Sequence, residues 1–202
     1  MSIGCMGKEI TFSEKQIKVL ESALACFTAY GFKRTNMADI AKSASMSRPA
    51  LYLLFENKRD IARAMVRKLK DDSLHAATTA LLTEEPIPKR LAAAFHARET
   101  AFLELVEGSA HGQELLDTGM ELAADIIQAG KVEFSKALQK TLRKAIRENQ
   151  IDLTRSGISV PRLAEILIHG AHGQKADAGT AKVLRRRIDD FLVLAMAGLL
   201  PN

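Results

Sequence analysis

Apolar residues recur at helical spacing through most of the chain, and the interruptions between these stretches are short. The first stretch opens at Ser13, which with Gln16 predicts a capping box, and it closes at Gly31, a natural C-terminal stop. The pattern predicts an all-α protein of about nine helices. They are expected over residues 13–31, 37–44, 48–54, 58–82, 89–107, 112–117, 119–149, 161–175 and 180–199.

The two short segments, 37–44 and 48–54, carry the clearest pattern. The apolar positions of the first one lie three, four and seven residues apart, which is one face of a helix. These positions are Met37, Ile40, Ala41 and Ala44. Either Thr35 or Asn36 can cap its start. Ser45-Met46-Ser47 then breaks the periodicity, and Ser47 is a favourable N-cap for the second segment.

The second short segment predicts a helix with distinct inner and outer sides. Leu51 and Phe55 are four residues apart and would face the preceding helix. The outer side would then carry Arg48, Pro49, Ala50 and Tyr52. Two short helices joined by a polar turn are typical of a helix-turn-helix, which places its second helix in the major groove of DNA. An ordinary helical hairpin, with Arg48 and Tyr52 in water, is the alternative.

The residues from Ser13 to about Ile61 resemble the DNA-binding domain of TetR-family transcriptional regulators. The matching features keep their order and separation: Ala23, Phe27, Tyr30-Gly31-Phe32, Thr35, Asp39-Ile40-Ala41, Ala44-Ser45-Met46-Ser47, Leu51-Tyr52, Phe55 and Asn57-Lys58. The rest of the chain resembles the family only in its helical character and length. The resemblance implies a helix-turn-helix domain over residues 1–60 and an effector-binding and dimerisation domain over residues 61–202.

The resemblance also implies a role for each matching residue. Phosphate contacts are expected from Thr35, Ser47, Tyr52 and Lys58. Base contacts are expected from Arg48, Pro49 and Ala50. At Leu53 and Leu54, members of the family often carry a polar or basic residue, so the leucines predict fewer polar contacts or closer packing of this helix.

Wide apolar stripes mark the last two predicted helices, which is normal for helices packed inside a domain. The family pairs these helices with their copies in a four-helix bundle, so the resemblance implies a homodimer. Its expected contacts are Leu163, Ile166, Leu167, Ile188, Phe191, Leu192 and Ala195. A two-fold dimer would meet a near-palindromic operator on double-stranded DNA. A purely internal core is the alternative.

The resemblance further implies an effector pocket within residues 89–150. The candidate lining residues are Phe95, Phe102, Leu103, Val106, Leu116, Met120, Ile127 and Phe134. Any of them could equally be ordinary core. An apolar lining suits a greasy or aromatic small molecule, with His96, Arg98 and His111 as candidate polar anchors. Such an effector would release the operator by shifting the population of two conformations.

Composition and charge narrow the class. Apolar residues make up 47% of the 202 positions, which argues against disorder. The sequence has no run of about 18 apolar residues, so it predicts no membrane span. The net charge is +5, and residues 1–60 carry nine Lys and Arg against six Asp and Glu. This modest excess is compatible with a polyanionic partner. The two cysteines, Cys5 and Cys26, do not form a disulfide framework.

Catalytic patterns are missing from the sequence. His169 and His172 lie three apart, but no carboxylate or cysteine at ligand spacing accompanies them, so neither a metal nor another cofactor is expected. No phosphate-binding loop and no Gly-x-Ser-x-Gly motif occurs. The sequence therefore predicts a cytoplasmic, homodimeric, ligand-responsive DNA-binding regulator, a repressor, and not an enzyme. The alternative is a helical adaptor that binds another protein without DNA, although an adaptor has no need of a small, basic face at residues 48–52.

Overall fold

The computed structural model describes residues 11–200, and all regular structure in that range is α-helical. The all-α class predicted from the sequence is confirmed, with ten helices in place of about nine. They are α1 (Glu14–Tyr30), α2 (Met37–Ser43), α3 (Arg48–Tyr52), α4 (Lys58–Leu82), α5 (Ile87–Glu99), α6 (Ala101–Val106), α7 (Gly112–Leu122), α8 (Ala124–Arg147), α9 (Val160–Gly173) and α10 (Ala181–Ala197).

The extra helix comes from a division that periodicity did not reveal. The helix predicted over 89–107 is divided at Thr100 into α5 and α6. The Thr100 hydroxyl donates back to the carbonyl oxygen of His96 at 2.9 Å, and a side chain that bonds to the preceding turn tends to bend a helix. The helix predicted from residue 119 starts later, at Ala124, because α7 continues to Leu122 and the backbone leaves helical geometry at Ala123.

The helices form two compact units. The first unit holds the described residues up to Asp71 together with Gly108–Ala124, and the second holds Asp72–Glu107 and the described residues from Asp125 onward. Helix α4 therefore begins in the first unit and ends in the second. The functional division expected at residue 60, with residues 1–60 reading DNA and residues 61–202 binding effector, stays a prediction.

The second unit is built on a large apolar core from α5, α8, α9 and α10. Phe95 and Phe134 meet edge to face there, with ring centroids 5.4 Å apart. Arg90 is buried, and its guanidinium donates two hydrogen bonds to the carbonyl oxygen of Leu81 at 2.6 and 3.0 Å. The end of α4 is thereby tied to the start of α5.

Two further expectations concern the thiols and the membrane. Cys26 is buried in α1 as a free thiol and packs there as a small apolar residue. Cys5 lies outside the described residues. Within residues 11–200, none of the helices combines the length and the apolar character that a membrane span requires.

Candidate nucleic-acid interface

Local capping chemistry defines both short helices of the first unit. Asn36 caps α2: its side chain accepts from the backbone amides of Ala38 and Asp39, and the Asp39 carboxylate accepts from the Asn36 amide at 2.9 Å. Ser47 caps α3 by accepting from the Ala50 amide at 3.3 Å, with proline in the first turn as expected. A five-residue helix depends on such caps and on packing, because it is too short to be stable alone.

The turn between the two helices is tight. Ser45 has a φ of +54°, a left-handed conformation that is uncommon for a residue with a Cβ. The amide of Met46 donates back to the carbonyl oxygen of Ala41 at 2.9 Å, which closes the end of α2. The sharp change of direction that a helix-turn-helix needs is therefore made by residues 44–47.

The inner side of α2 packs on α1, and α3 packs on α2, as the apolar spacing predicts. Ile40 and Leu51 are fully buried, and Phe55 follows them into the core. Phe27 of α1 and Phe32, just after this helix, pack together with ring centroids 5.1 Å apart. Burying the stripe leaves the opposite side of α3 in solvent.

That outer side of α3 presents the residues predicted to read DNA. Arg48 and Pro49 are exposed, Ala50 is half-buried, and Tyr52 is 47% exposed. Leu53 is 87% exposed, so closer packing of the helix does not explain a leucine at this position. The structure places these side chains together at one surface, next to the capping hydroxyl of Ser47. Their contacts with DNA remain predictions.

Thr35 is placed differently from the phosphate contact expected of it. The residue is only 1% exposed, and its hydroxyl lies 2.8 Å from the carbonyl oxygen of Gly31 and 3.3 Å from that of Cys26. In this conformation the hydroxyl donates to the end of α1 and is covered by protein. The phosphate contact expected of Thr35 stays a prediction, because the sequence marks Thr35 as a polar residue before a helix without showing which way its hydroxyl points.

Lys58 is also engaged within the protein. Its ammonium donates to the carbonyl oxygens of Phe32, Lys33 and Thr35 at 2.8, 3.1 and 2.9 Å, and it lies 4.7 Å from the centre of the Phe32 ring. These contacts use all three ammonium hydrogens. In this conformation no donor is left for the expected phosphate.

The eight candidate lining residues, of which Phe134 is part of the second unit's core, do not belong to one unit. Leu116, which is half-buried, and Met120, which is 61% exposed, lie in the first unit. The second unit holds Phe95, Phe102, Leu103, Val106 and Ile127. Phe95 and Val106 are buried in the core, whereas Phe102, Leu103 and Ile127 are half-buried. A set drawn from both units arose because the helices α6, α7 and α8 follow one another in sequence but are assigned to different units.

The expected dimer contacts need a partial correction. Four of the seven point into the second unit's own core: Leu163, Leu167, Ile188 and Leu192. Phe191 and Ala195 are half-buried against that core, and Ile166 is half-buried. The exposed apolar residues of α10 include Leu194 at 78% and Val193 at 68%, and the sequence analysis missed them. They lie outside the stripe, which identifies the core-facing side of the helix.

A charged cluster inside the second unit accounts for one of the two histidines considered for a metal. His172 approaches the buried carboxylate of Glu99 at 3.4 Å, and Lys175 approaches the same oxygen at 2.9 Å. Burial by itself would raise the pKa of Glu99, but the His172 hydrogen bond and the charges of Lys175 and Arg98 lower it to about 2. Among the described residues no group of three potential metal ligands comes together.

Comparisons with known proteins agree with this geometry. Residues 19–65 match the family model of bacterial regulatory proteins of the tetR family. The chain is 27% identical over 148 residues to the HTH-type transcriptional regulator TtgR of Pseudomonas putida, which covers 68% of this chain and 69% of that protein. It is 27% identical over 110 residues to the HTH-type transcriptional activator FasR of Mycolicibacterium smegmatis, with 54% and 48% covered.

A solved structure shares the fold over nearly the whole chain. SmeT, the repressor of the Stenotrophomonas maltophilia multidrug efflux pump SmeDEF, is 22% identical, and the TM-score is 0.64 over 93% of this chain and 91% of that one. SmeT has also been solved in complex with triclosan. The family model covers the helices whose caps, turn and exposed face are described above, and the curated relatives extend the match beyond them. Residues 19–65 thus match the DNA-binding domain of the tetR family of bacterial regulatory proteins, and nearly the whole chain shares its fold with SmeT.

Proposed function

We propose that this regulator is a homodimer that binds a near-palindromic operator and represses transcription until a small-molecule effector releases it. The observation that carries the proposal is the outer side of α3. On that side lie the exposed Arg48, Pro49 and Tyr52 and the half-buried Ala50, next to the capping Ser47. Proline and alanine have little side chain. A face of this kind lets the helix backbone approach base edges, with Arg48 able to pair with guanine in the major groove.

Charge around this face supports binding to a polyanion. Lys33, Arg34 and Lys42 are exposed within the first unit. Each contact that such a side chain makes with a phosphate releases counterions and makes binding dependent on salt. We expect Ser47 and Tyr52 to contact phosphates at the edges of the groove. Since the proposed partner is chromosomal DNA, we place the protein in the cytoplasm.

The proposed dimer uses the sides of α9 and α10 that face away from the core. Gly170 and Phe191 bring the two helices close: a Cβ on Gly170 would lie 2.1 Å from the tip of the Phe191 ring. Around this contact Ile166 is half-buried, and Leu194 is exposed. An apolar strip shared by two adjacent helices suits an isologous contact with the same strip on a second copy. Two copies would present two α3 helices to successive half-sites.

The proposed effector is an apolar or aromatic small molecule that binds in the second unit. Half-buried apolar side chains of α6 and α8, namely Phe102, Leu103 and Ile127, are the candidate contacts. The SmeT complex with triclosan supports this class of ligand. An apolar surface with few charges favours such a compound.

Release of the operator would be a shift in population. Helix α4 starts at Lys58 in the first unit and continues into the second, so it is the element that a change in either unit affects. An effector can shift the balance only by its preference for one of the two states. Reciprocity then requires operator DNA to weaken effector binding by the same factor.

The test of the proposal is selection of bound duplexes from a random pool with the purified protein, followed by sedimentation of the complex. We expect a palindromic consensus bound by two copies. A pool that stays random after repeated selection would refute sequence-specific binding, and an asymmetric consensus bound by one copy would refute the dimer.

The direction of regulation needs a second experiment, because SmeT is a repressor whereas FasR is an activator. The selected operator is placed upstream of a reporter gene, and expression is compared with and without the regulator. We expect the regulator to lower expression. An increase would show that it is an activator.

A further inference from the structure

The turn between α1 and α2 is held by two residues from outside the helix-turn-helix. The first is Lys58, the opening residue of α4, whose ammonium reaches the carbonyl oxygens of Phe32, Lys33 and Thr35 at 2.8–3.1 Å. These carbonyls follow the end of α1, where the helix dipole and the free carbonyl groups favour a cation. The same ammonium lies over the Phe32 ring, so one cation contacts both the carbonyl oxygens and the aromatic side chain of the turn.

The second residue is Glu114 of α7. Its carboxylate accepts from the backbone amide of Lys33 at 3.0 Å. Gly31, which has a φ of +84°, leaves room for this carboxylate, because a Cβ there would lie 2.6 Å from Glu114 Oε2. His111 holds the other side of the carboxylate at 3.5 Å. All of these residues belong to the first unit.

The turn leads directly into the cap of α2. Asn36 follows Thr35, and its side chain and backbone make the capping box that starts the helix. A shift of the turn would therefore move the start of α2 and, through the packing of α2 against α3, the α3 helix as well. Control of the turn amounts to control of the reading surface.

We infer that Lys58 and Glu114 are positioning residues: they hold the α1–α2 turn from α4 and from α7, and Lys58 does not contact a phosphate. The inference rests on the proposed binding of DNA through α3. In place of the expected phosphate contact, Lys58 makes hydrogen bonds within the protein. The α1–α2 turn is then the segment through which α4 and α7 contact the helix-turn-helix.

The decisive comparison is between Lys58→Arg and Lys58→Met. Three carbonyl oxygens that converge on one point suit a compact ammonium and not a planar guanidinium, whereas a phosphate accepts either cation. If the inference holds, both variants lose operator affinity about tenfold, since hydrogen bonds to a charged group are worth at least that factor. Affinity for a random duplex and the slope of log affinity against log salt stay at the wild-type values.

A phosphate contact gives the opposite result. Lys58→Arg would then bind like the wild type. Lys58→Met would weaken specific and random binding together and flatten the salt slope by about 0.9 for each lost contact, hence by about 1.8 in a dimer. Either finding overturns the assignment of Lys58. Binding is measured at a temperature at which circular dichroism shows every variant to be fully helical, so that a lower melting temperature by itself does not enter.

Glu114 is tested by rescue. Glu114→Gln keeps an oxygen that can accept from the Lys33 amide, and we expect operator affinity within about twofold of the wild type, whereas Glu114→Ala loses about fivefold because the amide of the turn loses its partner. Glu121→Ala is the matched control: it removes another carboxylate of α7, whose partner among the described residues is Arg59 in an exposed ion pair. Equal behaviour of Glu114→Ala and Glu121→Ala would overturn the role of Glu114. If the wild-type protein binds no duplex at all, the proposed function fails instead.

Discussion

The buried carboxylate of Glu99 predicts a specific dependence of stability on pH. Glu99 lies at the end of α5 and is only 5% exposed. Lys175 approaches its Oε2 at 2.9 Å, His172 approaches the same atom at 3.4 Å, and the Arg98 guanidinium lies 3.7 Å from Oε1. Three cationic or hydrogen-bonding groups thus surround one carboxylate of the second unit.

The free energy follows from the pKa. Burial alone would raise the pKa of the Glu99 carboxyl, but hydrogen bonding to His172, the charge and hydrogen bond of Lys175 and the charge of Arg98 outweigh it and lower the pKa from its ordinary 4.5 to about 2. One pKa step corresponds to about 1.4 kcal/mol, so the ionised carboxylate contributes about 3 kcal/mol to the free energy of unfolding at neutral pH. Because the folded pKa lies below the unfolded one, this contribution is complete above pH 4.5 and is lost as the pH falls towards 2.

Urea denaturation of the wild type and of Glu99→Gln, at several values between pH 7 and pH 2.5, measures this term. At pH 7 the variant should be less stable by about 3 kcal/mol, because a neutral amide does not balance the cations around it. The difference should shrink steadily below pH 4.5. Urea is used because guanidinium chloride would screen the charges.

Glu85→Gln is the matched control. Glu85 makes an exposed ion pair with Lys89, and such pairs contribute roughly 0–1 kcal/mol. Its difference from the wild type should be small at every pH. If Glu99→Gln differed from the wild type by the same amount at pH 3 as at pH 7, the carboxylate would not be the source of the stability, and the reasoning would be refuted.

Three further predictions concern the α3 helix and the proposed dimer. Arg48→Ala should reduce the preference for operator over random duplex by about 1–3 kcal/mol in a binding titration, and an equal loss on both duplexes would contradict base reading. Ser47→Ala should lower the free energy of urea unfolding by about 1 kcal/mol, because α3 loses its cap; no change would show that packing alone holds the helix. Leu194→Glu should yield monomers in sedimentation experiments, whereas Val132→Glu, which changes an exposed valine of α8, should leave dimers; dimers in both would exclude the proposed face.

Much of the helix-turn-helix could be predicted from the sequence because its signals are local. Capping depends on residues three positions apart, as in Ser13 with Gln16 and Ser47 with Ala50, and both caps occur where the sequence places them. A glycine after an apolar helix marks its end, and α1 does end at Gly31. The exposed side of α3 followed from the same reasoning, since burying Leu51 and Phe55 leaves one side in solvent.

The apolar stripes of the last two helices were less informative. A stripe shows that one side of a helix is covered, but it does not tell whether the cover is the same chain or a second copy. Leu163 and Ile188 belong to the chain's own core. Nothing in the pattern of a single sequence marks an outward apolar residue such as Leu194 as different from them. Only the packing of α9 and α10 on their own unit separated the two sets.

By itself, the sequence determined the helical class, the two short helices with their caps, and the side of α3 that remains free, because these depend on neighbours within one or two turns. The tertiary structure decided the direction of Thr35 and Lys58 and the partners of Glu99, because those contacts join residues far apart in the chain. The carboxylate of Glu99 and the ring of His172 are separated by 73 positions, and the ammonium of Lys58 and the carbonyl oxygen of Phe32 by 26. No spacing rule reaches across such distances; only the fold brings the groups together.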